Sequence, residues 1–226
     1  MPRGRRSCVL SNPTGNELLM EEIVPGIFHW QTFHEHIRAQ VSSYYLDAPG
    51  EEKVLLDPRL PPEGMEWFRG RTEPTDILLT NRHHYRHSSD FQRTFGCAVW
   101  CHQDGLHEFV RGEKVRGFSF GDGLPGGIKA VEVAAICPDE TALYVPWARA
   151  VALADGVIRK GNDGPLGFVP DFLIGSEPET VKQGLLAALE RLLDLEFDTL
   201  LLAHGRPLVG DGKEALSRFV SGRGTR

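Results

Sequence analysis

Residues 75–90, TDILLTNRHHYRHSSD, place an apolar strand pattern directly before a loop of imidazoles and guanidinium groups. After Thr80 the loop carries three histidines and two arginines: Arg82, His83, His84, Arg86 and His87. A strand that ends in histidines is a common way to build a metal site, because the strand fixes the ligands. Arginine opposes this, since a guanidinium stays charged and repels a bound cation. The stretch predicts either a metal site or a cleft rebuilt around arginine.

Length and composition predict one folded domain with a short tail. The chain has 226 residues, of which 41% are hydrophobic, and this is enough to bury a core. Residues 1–16 are rich in Arg, Gly, Ser, Asn and Pro, so they predict a flexible tail. Residues 17–226 are predicted to form a single domain.

Charge and hydropathy exclude two classes of partner. The chain has 31 acidic and 25 basic side chains, a formal net charge of −6, and it offers no cationic face for nucleic acid. No apolar run approaches the roughly 20 residues that cross a bilayer, and the first residues lack the pattern of a secretory signal. We therefore expect no nucleic acid, no membrane and a cytoplasmic location.

Two further motifs favour ordinary structure over a site. Cys97 and Cys101, with His102 and His107, imitate a zinc knuckle, but an apolar strand separates the cysteines and no second pair follows, which favours buried thiols. The glycine-rich run at 117–127, GFSFGDGLPGG, lacks the Lys-Ser/Thr ending of a phosphate loop. It predicts a hairpin or a surface turn.

The rest of the chain alternates short apolar strands with helices. VSSYYLD and KVLLD flank a turn and predict a hairpin. Helices are predicted at 61–71, 88–96, 178–195 and 212–220, and residues 161–175 predict an irregular lid. Because ligands gather at the carboxyl ends of parallel strands, the histidine loop, Asp155 after one strand and His204 after another are expected to converge.

The order of these segments resembles the metallo-β-lactamase fold superfamily from residue 17 to the last helix. The resemblance rests on VPGIF, the YYLD and VLLD strands, ILLT before the histidine loop, the strand ending in Asp155 and the LLAHG segment. It implies an α/β (α+β) fold, a four-layer αββα sandwich of two mixed β-sheets flanked by helices. It also implies hydrolysis of esters, thioesters, amides or phosphodiesters with one or two zinc, iron or manganese ions.

The ligand motifs of that family are only partly present. Its His-x-His-x-Asp-His motif falls on Arg82, His84, Arg86 and His87, and its next histidine falls on Ile136. The resemblance therefore implies a metal set of His87, Asp155 and His204, which would hold a single divalent ion, zinc or iron, or none. A two-metal site is not expected.

Roles are also expected for the remaining side chains near this site. His83, His84 and Arg86 are expected to be catalytic, and Arg82, together with Phe168 and Phe172 of the predicted lid, to bind substrate. The arginines favour a small anionic molecule as ligand. We hypothesise that an ion pair between Arg86 and Asp155 replaces the metal, because an unpaired buried carboxylate needs a nearby cation.

These observations favour a degraded metal centre that is weakly active, or non-catalytic and binding a small anionic ligand. The alternative is a mononuclear hydrolase of ester, thioester or phosphoester bonds that uses His87, Asp155 and His204. A structural role in a complex is a third reading, which would require a large exposed apolar patch. The sequence leaves a homodimer open.

Overall fold

The chain folds into two main β-sheets that face each other, with helices on both outer sides. The structure is a computed structural model and describes residues 18–222, so the tail predicted at 1–16 lies outside the described residues. The first sheet has seven strands in chain order: β1 (Leu18–Val24), β2 (Ile27–His34), β3 (Ala39–Leu46), β4 (Val54–Leu56), β5 (Asp76–Leu78), β6 (Ala98–His102) and β7 (Val115–Phe118).

The second sheet has five strands in the order β14-β11-β10-β9-β8, and a separate hairpin joins β12 to β13. Their bounds are β8 (Gly123–Leu124), β9 (Ile128–Glu132), β10 (Thr141–Val145), β11 (Ala150–Leu153), β12 (Val157–Arg159), β13 (Leu166–Phe168) and β14 (Thr199–Leu202). The helices are α1 (Ser88–Phe95), α2 (Pro178–Leu192) and α3 (Gly212–Val220). The predicted four-layer α/β sandwich is confirmed.

Apolar side chains fill the space between the sheets and both spaces beneath the helices. Alternation in β14 shows why: Leu201 joins the core between the sheets, whereas Leu200 and Leu202 join the core under α2 and α3. Successive strand residues point to opposite faces, so a central strand must be apolar throughout. In α2 the buried positions Leu185, Ala188, Leu189 and Leu192 follow the helical period, which places one stripe on the sheet.

Two predicted elements differ from the structure. Residues 61–71 contain only a short 3-10 turn at Met65–Trp67; Gly64 and Gly70 both have positive φ and limit the helix on either side. The predicted lid at 161–175 contains β13, which pairs with β12. Among the described helices, none is long and apolar enough to cross a membrane.

The end of β4 leaves part of β3 without a neighbour, and the second sheet fills this gap. The β3–β4 pairing stops at Tyr44 and Leu56, so the backbone of Ser42 lies beyond it. The Ser42 N–H donates to the Ala203 carbonyl oxygen at 2.9 Å, and the Tyr44 hydroxyl donates to the Leu202 carbonyl oxygen at 2.8 Å. These bonds fix the end of β14 against the first sheet.

A buried polar layer supports this junction. The Ser42 hydroxyl donates to the Gly205 carbonyl oxygen at 2.9 Å, and its oxygen lies 3.1 Å from His29 Nε2 and 3.1 Å from Gln31 Nε2. Because the Ser42 proton goes to Gly205, His29 Nε2 must be the donor, while its buried Nδ1 has no hydrogen-bond partner within the described chain. Burial, together with the charge of Arg206, lowers the pKa of His29 to about 3.

We predict that His29 makes the protein less stable in mild acid. Its folded pKa lies below the unfolded value of about 6.5, so the unfolded chain takes up a proton that the folded chain excludes. The stability present above pH 6.5 is lost as the pH falls. Between pH 7.5 and 5, wild type should lose about 2 kcal/mol more unfolding free energy than His29→Gln.

Urea unfolding at both pH values measures this difference. His36→Gln, at an exposed position in the turn between β2 and β3, is the matched control and should follow wild type. Equal pH dependence of His29→Gln and wild type would contradict the prediction.

Candidate metal centre

Four strand ends meet at one place between the sheets. In the first sheet β4 and β5 are parallel, with Leu56 opposite Leu78, and in the second sheet β11 and β14 are parallel, with Leu153 opposite Leu202. The segments that follow these strands carry Asp57, the 80–84 loop, Asp155 and His204. The expected convergence at the carboxyl ends of parallel strands is therefore present.

Three side chains form a compact group of metal-ligand type: His84, Asp155 and His204. One ligand atom from each lies within 4.8 Å of the other two. His84 Nε2 is 3.1 Å and His204 Nε2 is 3.0 Å from the same oxygen, Asp155 Oδ1. The His84 side chain is 5% exposed, whereas those of His204 and Asp155 are 19% and 28% exposed, so the group opens to solvent on the side of β11 and β14.

The other nitrogen of each imidazole is already used. His84 Nδ1 lies 2.9 Å from Asp57 Oδ2, and His204 Nδ1 lies 3.3 Å from the Gln40 carbonyl oxygen. Both partners are acceptors, so both Nδ1 atoms carry the proton. In the neutral rings the two Nε2 lone pairs then point at a carboxylate oxygen.

Such a group requires a positive charge at its centre. Burial disfavours charge on His84, but the carboxylates of Asp155 and Asp57 outweigh burial and raise its pKa to about 9. Burial also opposes charge on Asp155, yet His84 and His204 hold the pKa of Asp155 well below its usual range. A proton on His84 or a divalent metal ion can supply the missing charge. The donor set, two imidazoles and a carboxylate, fits zinc or ferrous iron.

Asp57, Thr80 and Asn81 hold the ligands in place. Asp57 Oδ1 accepts the Thr80 N–H at 2.9 Å, and its Oδ2 accepts the Thr80 hydroxyl at 2.6 Å, which aims Oδ2 at His84. The Asn81 amide donates to Asp155 Oδ2 at 3.2 Å, leaving Oδ1 to the two imidazoles. A metal-bound histidine typically has such a carboxylate or carbonyl partner on its second nitrogen.

Arg86 does not form the hypothesised ion pair with Asp155. Its Nη1 donates to the carbonyl oxygens of Ser42 at 2.8 Å and Asp57 at 2.7 Å. Within 4.0 Å, the basic side chains that contact Asp155 in the described chain are His84 and His204. The reason is the gap beside β3, because the Ser42 carbonyl has no ladder partner there and a buried carbonyl needs a donor.

Arg82 forms a different ion pair. Its guanidinium contacts Asp139, whose side chain is fully buried, and its backbone N–H donates to Asp139 Oδ2 at 2.6 Å. Asp139 lies in the loop after β9, the segment in which Ile136 stands for a family histidine. Ile136 itself packs against the core under the helices. Where the family resemblance implies histidines, this chain has Arg82, which pairs with Asp139, and Ile136, which packs in the core.

The remaining sequence-predicted residues lie outside the compact group. His87 Nδ1 accepts the Leu60 N–H at 2.9 Å, so it holds the segment after Asp57, and the structure groups His84 in place of His87 with Asp155 and His204. The His83 side chain is exposed on its turn. Phe168 packs its ring on Phe219 at 4.9 Å between ring centres, and 81% of Phe172 is exposed.

Sequence reasoning missed Asp57, Thr80, Asn81, Asp139 and Glu140. Asp57 had a usable signal, because it follows an apolar strand as Asp155 does. Glu140 is buried and accepts the N–H groups of Ile136 at 3.0 Å and Gly156 at 3.1 Å, which ties the loop after β9 to the turn after Asp155. Nothing local in the sequence marks Asp139 or Glu140 as partners of such distant residues.

Comparison with known proteins identifies the fold. No family model matches the chain, and no curated protein matches it. A metallo-β-lactamase family protein from Thermus thermophilus superposes with a TM-score of 0.62 and 18% identity, covering 89% of this chain and 80% of that chain. The DIM-1 metallo-β-lactamase gives a TM-score of 0.68 at 13% identity, with coverages of 91% and 98%.

A flavo di-iron protein mutant from Thermotoga maritima is also similar, with a TM-score of 0.64 and 16% identity over 90% of this chain and 62% of that chain. These solved structures share one architecture, so the chain has the metallo-β-lactamase fold. The identities are low, and the likeness therefore establishes the fold and leaves the chemistry to the residues of this chain.

The Arg82–Asp139 pair gives a direct test of the buried charges. Removing one partner leaves the other as an uncompensated charge, and Arg82→Met should cost about 3 kcal/mol of unfolding free energy. In Arg82→Met/Asp139→Leu the stranded carboxylate is gone, so the double variant should be more stable than Arg82→Met. Urea unfolding of wild type, Arg82→Met, Asp139→Leu and the double variant measures this, and losses that add up in the double variant would argue against a coupled pair.

Proposed function

We propose that this chain binds a single divalent metal ion through His84, Asp155 and His204 and hydrolyses an ester, thioester or phosphoester bond. The observation that supports it is the convergence of both Nε2 atoms on Asp155 Oδ1 while both Nδ1 atoms are held by acceptors. A divalent ion in such a site acts as a Lewis acid and lowers the pKa of bound water.

The protein side chains would divide the work as follows. Asp57 keeps the proton of His84 on Nδ1, so that Nε2 remains a donor of its lone pair. Asn81 holds the second oxygen of Asp155. The partly exposed edge formed by Asp155 and His204 is where a substrate can approach, since His84 lies at the buried end of the group.

The ligand set supports one ion and not two. The position that the resemblance gives to a second-site ligand is Arg86, whose guanidinium is engaged with two carbonyl oxygens. The other lost positions are Arg82, which pairs with Asp139, and Ile136, which packs against the core. Because Arg82 and Arg86 both have internal partners, the proposal does not assign recognition of an anionic substrate to them.

A second candidate function is a non-catalytic binding protein with a degraded centre. The observation that favours it is the Arg82–Asp139 pair, because a residue at a position that the resemblance gives to a metal ligand is held in an internal ion pair. In that case a proton on His84 would permanently supply the positive charge of the group. Any metal found with the protein would be substoichiometric, and its amount would not change when one of the three ligands is substituted.

Metal binding by matched histidine variants separates the two candidates. After removal of bound metal, equilibrium dialysis against zinc should give one equivalent in wild type. His204→Ala and His84→Ala should each weaken binding by roughly 100-fold or more, since even the loss of a supporting residue costs 10- to 100-fold. His87→Ala should bind as wild type does.

The outcomes are distinct. Loss of zinc in His87→Ala, or retention in both His84→Ala and His204→Ala, would exclude the proposed site. In another outcome zinc binds with the expected pattern, but the loaded protein fails to hydrolyse p-nitrophenyl acetate, a thioester and bis-p-nitrophenyl phosphate. That result would keep the proposed metal site and exclude the proposed hydrolase activity. Circular dichroism of each variant checks that it remains folded.

Asp57→Asn tests the supporting carboxylate. If the new amide points its Nδ2 at His84, it faces an Nδ1 that already carries a proton, so two donors meet. This favours moving the His84 proton to Nε2, which removes the lone pair that would bind the metal. Zinc affinity should fall about 10- to 100-fold. Asp76→Asn is the matched control, because Asp76 is also a buried aspartate of this sheet but is bonded to Trp100 Nε1. Equal effects in both variants would argue against the assigned role of Asp57.

A further inference from the structure

A large open cleft lies away from the histidine group, on the outer face of the first sheet. It has a volume of about 800 Å³ and is lined by α1, the first residues of β6, the 111–114 loop and β7. The lining residues Ala98 and Val115 belong to the amino-terminal halves of β6 and β7, whereas Asp57 and His84 follow the carboxyl ends of strands. The cleft has the size of a small-molecule site.

The lining of this cleft is cationic. Its charged side chains are Arg93, Arg111 and Lys114 with one carboxylate, Glu113, a formal excess of two positive charges. The guanidinium of Arg116 instead lies over the Trp100 ring, on the other face of the sheet. The whole chain has a net charge of −6, so this excess runs against the overall balance. A concentration of one sign of charge in a concave site attracts ligands of the opposite sign.

Internal partners account for only part of this charge. Arg93 pairs with Asp90 on the exposed face of α1. In the described part of the chain, no carboxylate oxygen lies within 4.0 Å of the charged groups of Arg111, Lys114 or Arg116. Glu113 accepts the backbone N–H of Arg111 at 2.7 Å, so its carboxylate stabilises the turn between these two residues. Arg111 and Lys114 are therefore left to solvent or to a ligand.

Both walls of the cleft carry hydrogen-bond donors. On one wall Arg93 of α1 stands near Tyr85, whose hydroxyl lies 3.3 Å from Gln92 Oε1. On the other, Arg111 and Lys114 are exposed, and the Gln92 amide donates to the Lys114 carbonyl oxygen at 3.1 Å, which fixes the distance between the walls. A ligand with one anionic group would meet one wall, whereas one with several anionic groups can meet both.

We propose that this cleft binds a small organic polyphosphate of nucleotide size. Phosphoryl oxygens accept several charge-assisted hydrogen bonds at once, and arginine and lysine are the side chains that recognise them. Tyr85 lines the cleft and belongs to the same turn as His84. The proposal does not depend on the function of that centre.

Calorimetric titration at low ionic strength tests the proposal, with pyrophosphate and ADP as probes and adenosine as the neutral comparison. Pyrophosphate and ADP should bind and adenosine should not. Arg111→Ala and Lys114→Ala should each weaken binding about 5- to 20-fold, since loss of one charge-assisted contact is worth roughly 1–2 kcal/mol. Raising the salt concentration should weaken binding further.

Arg191→Ala is the matched control. Arg191 is an exposed arginine of α2, outside the cleft, and its guanidinium donates to the Ala187 carbonyl oxygen. The titrations are repeated in His204→Ala, where binding should persist, so that capture of phosphate by a metal at the other site is separated from the cleft.

Four results would overturn the proposal: no binding of pyrophosphate or ADP, binding unchanged in Arg111→Ala and Lys114→Ala, an equal loss in Arg191→Ala, or disappearance of binding in His204→Ala. Binding of an acidic peptide in the absence of pyrophosphate and ADP binding would also overturn it, because the cleft would then serve a protein partner.

Discussion

The hydrogen bond from the Ser42 N–H to the Ala203 carbonyl oxygen joins the two sheets at the point where the candidate ligands meet. It can form because β4 ends early and leaves one edge of β3 free. The same free edge explains Arg86, which donates to the Ser42 carbonyl. The ligand geometry therefore depends on an unfilled place in the first sheet, which the end of β14 and one guanidinium complete.

The charged side chains of the site have partners other than those that the family resemblance implies. Family resemblance implies ligands at Arg82 and Ile136, and the structure has a buried Arg82–Asp139 pair nearby. Desolvation of an ion costs several kcal/mol, and only a close partner offsets it. Asp139 and Arg82 thus depend on each other. Asp155, for which an ion pair with Arg86 was expected, instead contacts two imidazoles and the Asn81 amide.

Sequence patterns were sufficient for the architecture and for half of the candidate site. Strand-end position identified Asp155 and His204, because parallel strands in one sheet bring their carboxyl ends together. It could not choose between His84 and His87, since a 3-10 turn at Arg82–Tyr85 decides which ring faces Asp155. It also could not predict the Arg86 contacts, which depend on where β4 ends relative to β3. Asp57 was within reach of the same strand-end rule.

The direction of the Nδ1 protons is what gives the histidine group its chemical meaning. If His84 and His204 had free Nδ1 atoms, each ring could turn its proton toward Asp155 and form an ordinary neutral hydrogen bond. Asp57 and the Gln40 carbonyl remove that option. A positive charge would balance the centre, and Asp57 would stabilise an added proton and a metal ion alike, because it orients the ring in both states. A proton on His84 and the metal ion of the proposed function are the two ways to supply that charge, and the affinity for the metal would decide between them.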